Sequence, residues 1–352
     1  MTDLVKCLNM AVEDDASDIF IVAGSPVCEK KDGVITRMDD EKLMPDNTKV
    51  IINDIYKLAE RSMEEFTAAG DDDFSFAVPK LARFRVNTFR QRGSLAAVIR
   101  IVSFEIPDSS RFNIPEEVMS VADQTHGMVF FTGTAGSGKS TTQACIIDRI
   151  NHTYSRHIIT LEDPIEYLHR NDKSIVSQRE IAVDTPDYLN ALRACLRQAP
   201  DIIQLGEMRD LETIKTAMTA AETGHLIMAT LHTRGAVNSI DRIIDTFPAT
   251  QQNQIRVQLS AVLSTVISQQ LIPGIDGNMV PAYEIMHVDN AIRNMIRENK
   301  SHQIDMAIAA GAEKGMISMD QYIVNLYKNG KISRETALDY AEYREQMERR
   351  LK

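Results

Sequence analysis

Apolar positions change their pattern near the end of the first third of the chain. From Met1 to about Phe112, short β-like runs (Ile19 to Val22, Phe74 to Val78, Phe84 to Val86, Ala97 to Val102) predict strands, and Val50 to Ala69 has helical spacing. This predicts a small mixed α/β domain over 1–112. Turn and breaker residues at Ile106 to Ser110 and Asn113 to Pro115 mark the linker. Beyond it, four short buried-strand runs, Met128 to Phe131, His157 to Leu161, Ile202 to Leu205 and Leu226 to Ala229, alternate with helical segments. Such alternation predicts crossover units and a largely parallel sheet, an α/β core over 113–287. The stretch 288–352 reads as helical, with Gly311, Gly315 and Gly330 as punctuation and a charged amphipathic last segment from Ser333.

A length of 352 residues suits two domains with full cores, and 43% hydrophobic with 25% charged residues is ordinary globular usage. Lys and Arg total 39 against 50 Asp and Glu, so the net charge of −11 argues against nucleic acid as a partner. Charge within the first domain is uneven. Asp71-Asp72-Asp73 is followed by a stretch, Phe74 to Phe104, with Lys80, Arg83, Arg85, Arg90, Arg92 and Arg100 and no acid. That strand pair is expected to present a basic face, whose plain reading is solvated sheet surface. Cys7, Cys28, Cys145 and Cys195 are too scattered for a zinc knuckle or a disulfide framework, which fits a reducing, cytoplasmic compartment. No run approaches the roughly 18 apolar residues of a spanning helix, so any work at a membrane is expected to pass through a partner.

The sharpest chemical signal is Gly133-Thr134-Ala135-Gly136-Ser137-Gly138-Lys139-Ser140, a G-x-x-x-x-G-K-[ST] phosphate loop that follows an apolar strand and opens a helical segment, Thr141 to Asn151. Glycines let backbone N–H groups wrap phosphates, the helix N-terminus favours anions, Lys139 reaches the terminal phosphates, and the Ser140 hydroxyl suits Mg²⁺. A nucleoside triphosphate is the expected ligand. Glu207 ends the third predicted strand of the core, where phosphate-loop enzymes place the acid that organises the metal and its waters. Glu162, Asp163 and Glu166 close the second strand, and Pro164 stops that strand from continuing. One of the three acids could be the general base and another could support the metal shell; spacing does not choose among them. His225 and His232 bracket the fourth strand, too far apart to share a zinc ion. A γ-phosphate sensor, a subunit contact and an ordinary packed histidine remain open for each.

The ordered set Gly133 to Ser140, Leu161 to Glu166, Gly206 to Asp210 and Thr223 to Thr233 resembles the secretion and type IV pilus ATPases, with their Walker A, Asp box, Walker B and His box. Ala291 to Glu298 is similar to a segment of the retraction branch of that family, and Ala16-Ser17-Asp18 and Met319-Asp320-Gln321 extend the likeness over nearly the whole chain. The resemblance implies a PAS-like N-terminal domain, a RecA-like ATPase domain with a helical C-terminal part, and a homo-hexamer. It implies ATP with Mg²⁺, and motor action on an inner-membrane pilus platform protein from the cytoplasmic face, with a paralogous retraction ATPase as a further partner. It puts the catalytic glutamate on Glu166 with Glu162 and Asp163 beside it, the Walker B acid on Glu207, and the His box on His225 and His232. Thr141 continues the nucleotide-binding loop, and Arg83, Arg85 and Arg100 match arginines that approach the nucleotide. Thr134-Ala135 departs from the family's usual Pro-Thr and leaves the glycines, Lys139 and Ser140 intact. Competing readings are a pilus assembly or type II secretion ATPase, a non-hydrolysing nucleotide-sensing regulator and a DNA-tracking motor. Changes at Ile292 or Met295 are expected to spare turnover and stop retraction.

Overall fold

A computed structural model describes residues 4–31, 33–79, 81–102, 106–110 and 112–352. Lys80 and Phe104 of the basic stretch lie outside the described residues. The chain divides into two compact units, Met1–Glu105 with Glu166–Leu168, and Ile106–Ile165 with His169–Lys352.

In the first unit the described elements are α1 (Leu4–Glu13), β1 (Asp18–Ile21), β2 (Cys28–Lys31), β3 (Val34–Arg37), α2 (Pro45–Leu58), α3 (Glu64–Ala69), β4 (Asp71–Val78), β5 (Ala82–Gln91) and β6 (Ser94–Val102). The strands form one antiparallel sheet in the order β3-β2-β1-β6-β5-β4, the PAS-like arrangement that was expected. Strand alternation explains its one-sided core: Ala82, Phe84 and Val86 of β5 are buried with Ile19, Ile99 and the α2 residues Ile52, Ile55 and Tyr56. The helix expected over 50–69 is two helices. Glu60 has a φ of 50°, and Arg61 turns to Asp72 through its Nε (3.0 Å) and Nη2 (2.9 Å), which breaks the run.

The second unit begins with α4 (Glu116–Met119) and continues with β7 (Gly127–Thr132), α5 (Lys139–Thr153), β8 (His157–Glu162), β9 (Ile175–Glu180), α6 (Tyr188–Cys195), β10 (Ile202–Leu205), α7 (Leu211–Glu222), β11 (Leu226–Leu231), α8 (Ala236–Asp245), α9 (Ala249–Val262), β12 (Leu263–Pro273) and β13 (Met279–His287). Among the described residues its sheet runs β13-β12-β7-β11-β10-β8-β9, all parallel except β13. Every residue of β7, β10 and β11 is buried, as a sheet covered on both faces requires. Alternate residues of β7 enter different cores: Met128 and Phe130 join α6, α7, α8 and α9, while Val129 and Phe131 join α4 and α5.

The rest is helical, as expected: α10 (Asn290–Arg297), α11 (Ile304–Ala310), α12 (Met319–Lys328), α13 (Arg334–Asp339) and α14 (Arg344–Arg350). The last segment is not one amphipathic helix. Asp320 accepts the backbone N–H groups of Glu342 (2.7 Å) and Tyr343 (3.1 Å), fixing a break between α13 and α14. Ile292 and Ile296 of α10 are fully buried in the main core, so Ile292 is a packing residue rather than a surface contact.

Candidate functional site

Parallel pairing brings the C-terminal ends of β7, β11, β10 and β8 to one edge of the sheet. That edge carries the phosphate loop after β7, His232 after β11, Gly206 and Glu207 after β10, and Glu162 with Asp163 at β8. With strands about 4.8 Å apart, Glu207 stands two spacings, about 10 Å, from the loop strand, and the β8 acids three, about 14 Å. A nucleotide's phosphates and a water can be accommodated between them.

The loop is built for close approach. A Cβ on Gly133, whose φ is 140°, would lie 2.3 Å from the Gln269 carbonyl oxygen and 2.7 Å from Ser137 Oγ, so only glycine fits there. Gln269 is itself fixed, its Oε1 accepting from Thr142 Oγ1 at 2.9 Å. Lys139 is buried and folds back over the loop, its Nζ donating to the carbonyl oxygens of Gly133 (2.8 Å) and Thr134 (2.7 Å). Ser140 and Thr141 follow in the first turn of α5, a 15-residue helix whose positive end faces the loop.

The acids are held by neighbours. Glu162 Oε1 accepts from Thr160 Oγ1 (2.5 Å) and from Gln178 Nε2 on β9 (3.1 Å), and the Gln178 Oε1 accepts the His169 backbone N–H (2.8 Å). Glu207 is paired with Arg209, and His232 Nε2 lies 3.5 Å from Glu207 Oε1. Gly206 lets β10 approach β8: a Cβ there would sit 2.8 Å from the Tyr188 hydroxyl and 3.0 Å from the Leu161 carbonyl oxygen. Burial, then the charges of Asp163, Glu207 and Glu162, push the Tyr188 hydroxyl up, so it stays protonated as a donor facing the acids. Glu207 borders two cavities, one of about 520 Å³ shared with Arg209, His232 and Arg242, the other of about 490 Å³ shared with Asp163, Tyr188 and Asp210.

One expected residue stands apart from this cluster. His225 precedes β11, at the opposite edge of the sheet from the phosphate loop, with its Nδ1 2.9 Å from the Ala220 carbonyl oxygen. Glu166 is exposed and belongs to the segment Glu166–Leu168 that groups with the first unit. Within that unit, Arg83, Arg85 and Arg100 share the sheet face opposite the core, Arg85 pairing in register with Arg100. Their face is less basic than its composition suggests, because Arg85 pairs with Asp73 (2.6 Å) and Arg100 with Asp18 (3.1 Å).

Sequence reasoning assigned no role to Gln178, Tyr188, Arg209, Gln269 or Glu284. Arg209 lies within a recognised segment, whereas Tyr188, about twenty residues from either acid-bearing segment along the chain, meets the acids only in the fold. Gln178, Gln269 and Glu284 lie on β9, β12 and β13, strands that carried no clear periodic signal.

Hard oxygen donors on Ser140 and Glu207 at the same sheet edge fit Mg²⁺, and the glycine cradle fits a phosphate chain. A profile for the family described as type II/IV secretion system protein matches residues 1–324. The chain is 43% identical over 339 residues to the type IV pilus retraction ATPase PilT of Pseudomonas aeruginosa, covering 96% of this chain and 98% of that protein. It is 36% identical to the type IV pilus ATPase PilU of the same organism, over 96% of this chain and 88% of that protein. A crystal structure of the pilus retraction motor PilT with bound ADP superposes with a TM-score of 0.92 at 44% identity, covering 99% of this chain and 100% of that one.

Proposed function

The chain belongs to the type II/IV secretion system protein family of ATPases, and from that premise we propose that it is the motor that hydrolyses ATP to withdraw a type IV pilus. The observation that carries the reading is the single sheet edge on which a phosphate loop faces Glu207, Glu162, Asp163 and His232, in a chain so similar to a retraction ATPase throughout its length.

In this reading Lys139 leaves the Gly133 and Thr134 carbonyl oxygens and neutralises the terminal phosphates, while the loop N–H groups hold the phosphate chain. Ser140 and Glu207 would hold Mg²⁺, which supplies charge neutralisation on the phosphate oxygens. Glu166 takes the proton of the attacking water, with Glu162 and Asp163 ordering the waters around it. His232 senses the state of Glu207, and His225, at the far edge of its own sheet, serves a contact with another subunit. Domains 1–112, 113–287 and 288–352 act as a coupling domain, the ATPase core and its helical extension. Six copies close a ring, and Arg83, Arg85 and Arg100 of one subunit approach the nucleotide of the next, adding positive charge where negative charge develops. The ring works at the cytoplasmic face of the inner membrane on a platform protein, with a paralogous ATPase as a helper.

ATP turnover by the purified chain, with mass by light scattering, tests this. The native ring should hydrolyse ATP, and Lys139→Ala and Glu166→Ala should assemble but fail to turn over. Full activity in both variants would overturn the reading.

A further inference from the structure

The segment 232–235 joins β11 to α8 across the catalytic edge. Leu231, Thr132, Ser268 and Glu284 are paired in one row across β11, β7, β12 and β13. At the near end His232 lies 3.5 Å from Glu207. At the far end the N–H of Ala236, the first residue of α8, donates to Glu284 Oε1 at 2.8 Å. The row spans three strand spacings, about 14 Å, and five extended steps reach about 17 Å. The segment is therefore a strap with little slack.

Its conformation agrees. Gly235 has a φ of 81° and a ψ of 154°, a region open in practice to glycine alone. Glu284, the far anchor, is 4% exposed and packs beneath the strap. Between the anchors, exposed Arg234 shares a cavity of about 660 Å³ with Thr134, Ala135, Gly136 and Ser137 of the phosphate loop. Its guanidinium makes no hydrogen bond or ion pair among the described residues. Three carboxylates line the far wall: Asp339 pairs with Arg344 (2.9 Å), Glu284 accepts from Ala236, and the exposed Glu342 shares the cavity without forming an ion pair with Arg234 among the described residues. An arginine held taut beside a phosphate loop, on a strap that starts at the metal-organising acid, is placed to read the last phosphate.

We propose that Arg234 contacts the terminal phosphate of ATP bound to its own chain, and that Gly235 and Glu284 are positioning residues that hold the strap carrying it. Arg234 thus distinguishes ATP from ADP and reports the difference to Glu207 through His232. This deepens the ATPase reading and rests on it. The planar fork of arginine suits phosphate oxygens better than a lysine ammonium does, so Arg234→Lys should recover only part of the effect.

Calorimetric titration with Mg²⁺ and either AMP-PNP or ADP tests the proposal on the full-length protein. Arg234→Ala should weaken AMP-PNP binding roughly tenfold or more and leave ADP binding unchanged. Gly235→Ala, which displaces the strap with Arg234 intact, should lose affinity in the same selective way. Unchanged binding of both nucleotides by Arg234→Ala would overturn the proposal, as would an equal loss for both. If the native protein binds neither nucleotide, the ATPase reading fails first; if it binds both and the variants match it, only the role of Arg234 fails.

Discussion

Glu162 and Glu207 sit at the ends of neighbouring strands, and each depends on a side chain that orients it. Gln178 bridges Glu162 to the His169 backbone, so Gln178→Ala should lower kcat severalfold with little change in KM, measured by steady-state ATP turnover. Equal loss in both parameters would mean that Gln178 supports binding instead. Glu207→Gln keeps the size of the side chain and removes its charge, so nucleotide binding should persist while turnover falls at least a hundredfold. Glu284 gives a pH signature. Burial pushes its carboxyl up from 4.5 to about 7, with the Ala236 N–H opposing the shift. The stability it contributes is complete below the ordinary carboxylate value and is lost as pH rises through about 7. Glu284→Gln keeps an acceptor for Ala236 and does not titrate, so the fall in thermal stability from about pH 5 to 8 should be shallower in the variant than in the native chain.

At the scale of elements, α10 shows how a motif-bearing helix divides its labour. Ile292 and Ile296 face the core, while Ala291, Asn294 and Arg297 are exposed. Ile292→Ala should therefore destabilise the fold by about 2–4 kcal/mol in chemical denaturation and lower turnover with it. Arg297→Ala should leave both unchanged and impair only what the exposed face docks against, read as pilus retraction. The strands of the parallel core were legible because each is a short apolar run: expectations at 128–131, 157–161, 202–205 and 226–229 correspond to β7, β8, β10 and β11. The remaining strands were hidden for physical reasons. β9, Ile-Val-Ser-Gln-Arg-Glu, is an edge strand and largely polar, and β12 intersperses Ser, Thr and Gln because it packs against the phosphate loop. In the first unit β3 is wholly exposed, so its sequence carries no burial signal. The phosphate loop and the acids were readable because their chemistry demands fixed spacing. The strap was not, since Arg234 and Glu284 meet the loop only through pairing across four strands.

For the whole molecule, the arginine face of the first unit gives a test of cooperation between chains. If Arg83 and Arg100 serve a neighbour's nucleotide, Arg83→Ala/Arg100→Ala rings and Lys139→Ala rings should each be inactive. Mixed rings, formed by dissociating and reassembling both, should recover part of the turnover, because some interfaces then combine an intact loop with intact arginines. Absence of any recovery in rings of verified mixed composition would assign these arginines to their own chain or to structure alone. The direction of work is decided in the cell. Replacing the native copy in the source organism with Lys139→Ala and imaging labelled pili should leave surplus surface pili that no longer shorten; cells that lack pili, or whose pili still retract at the native rate, would contradict a retraction motor.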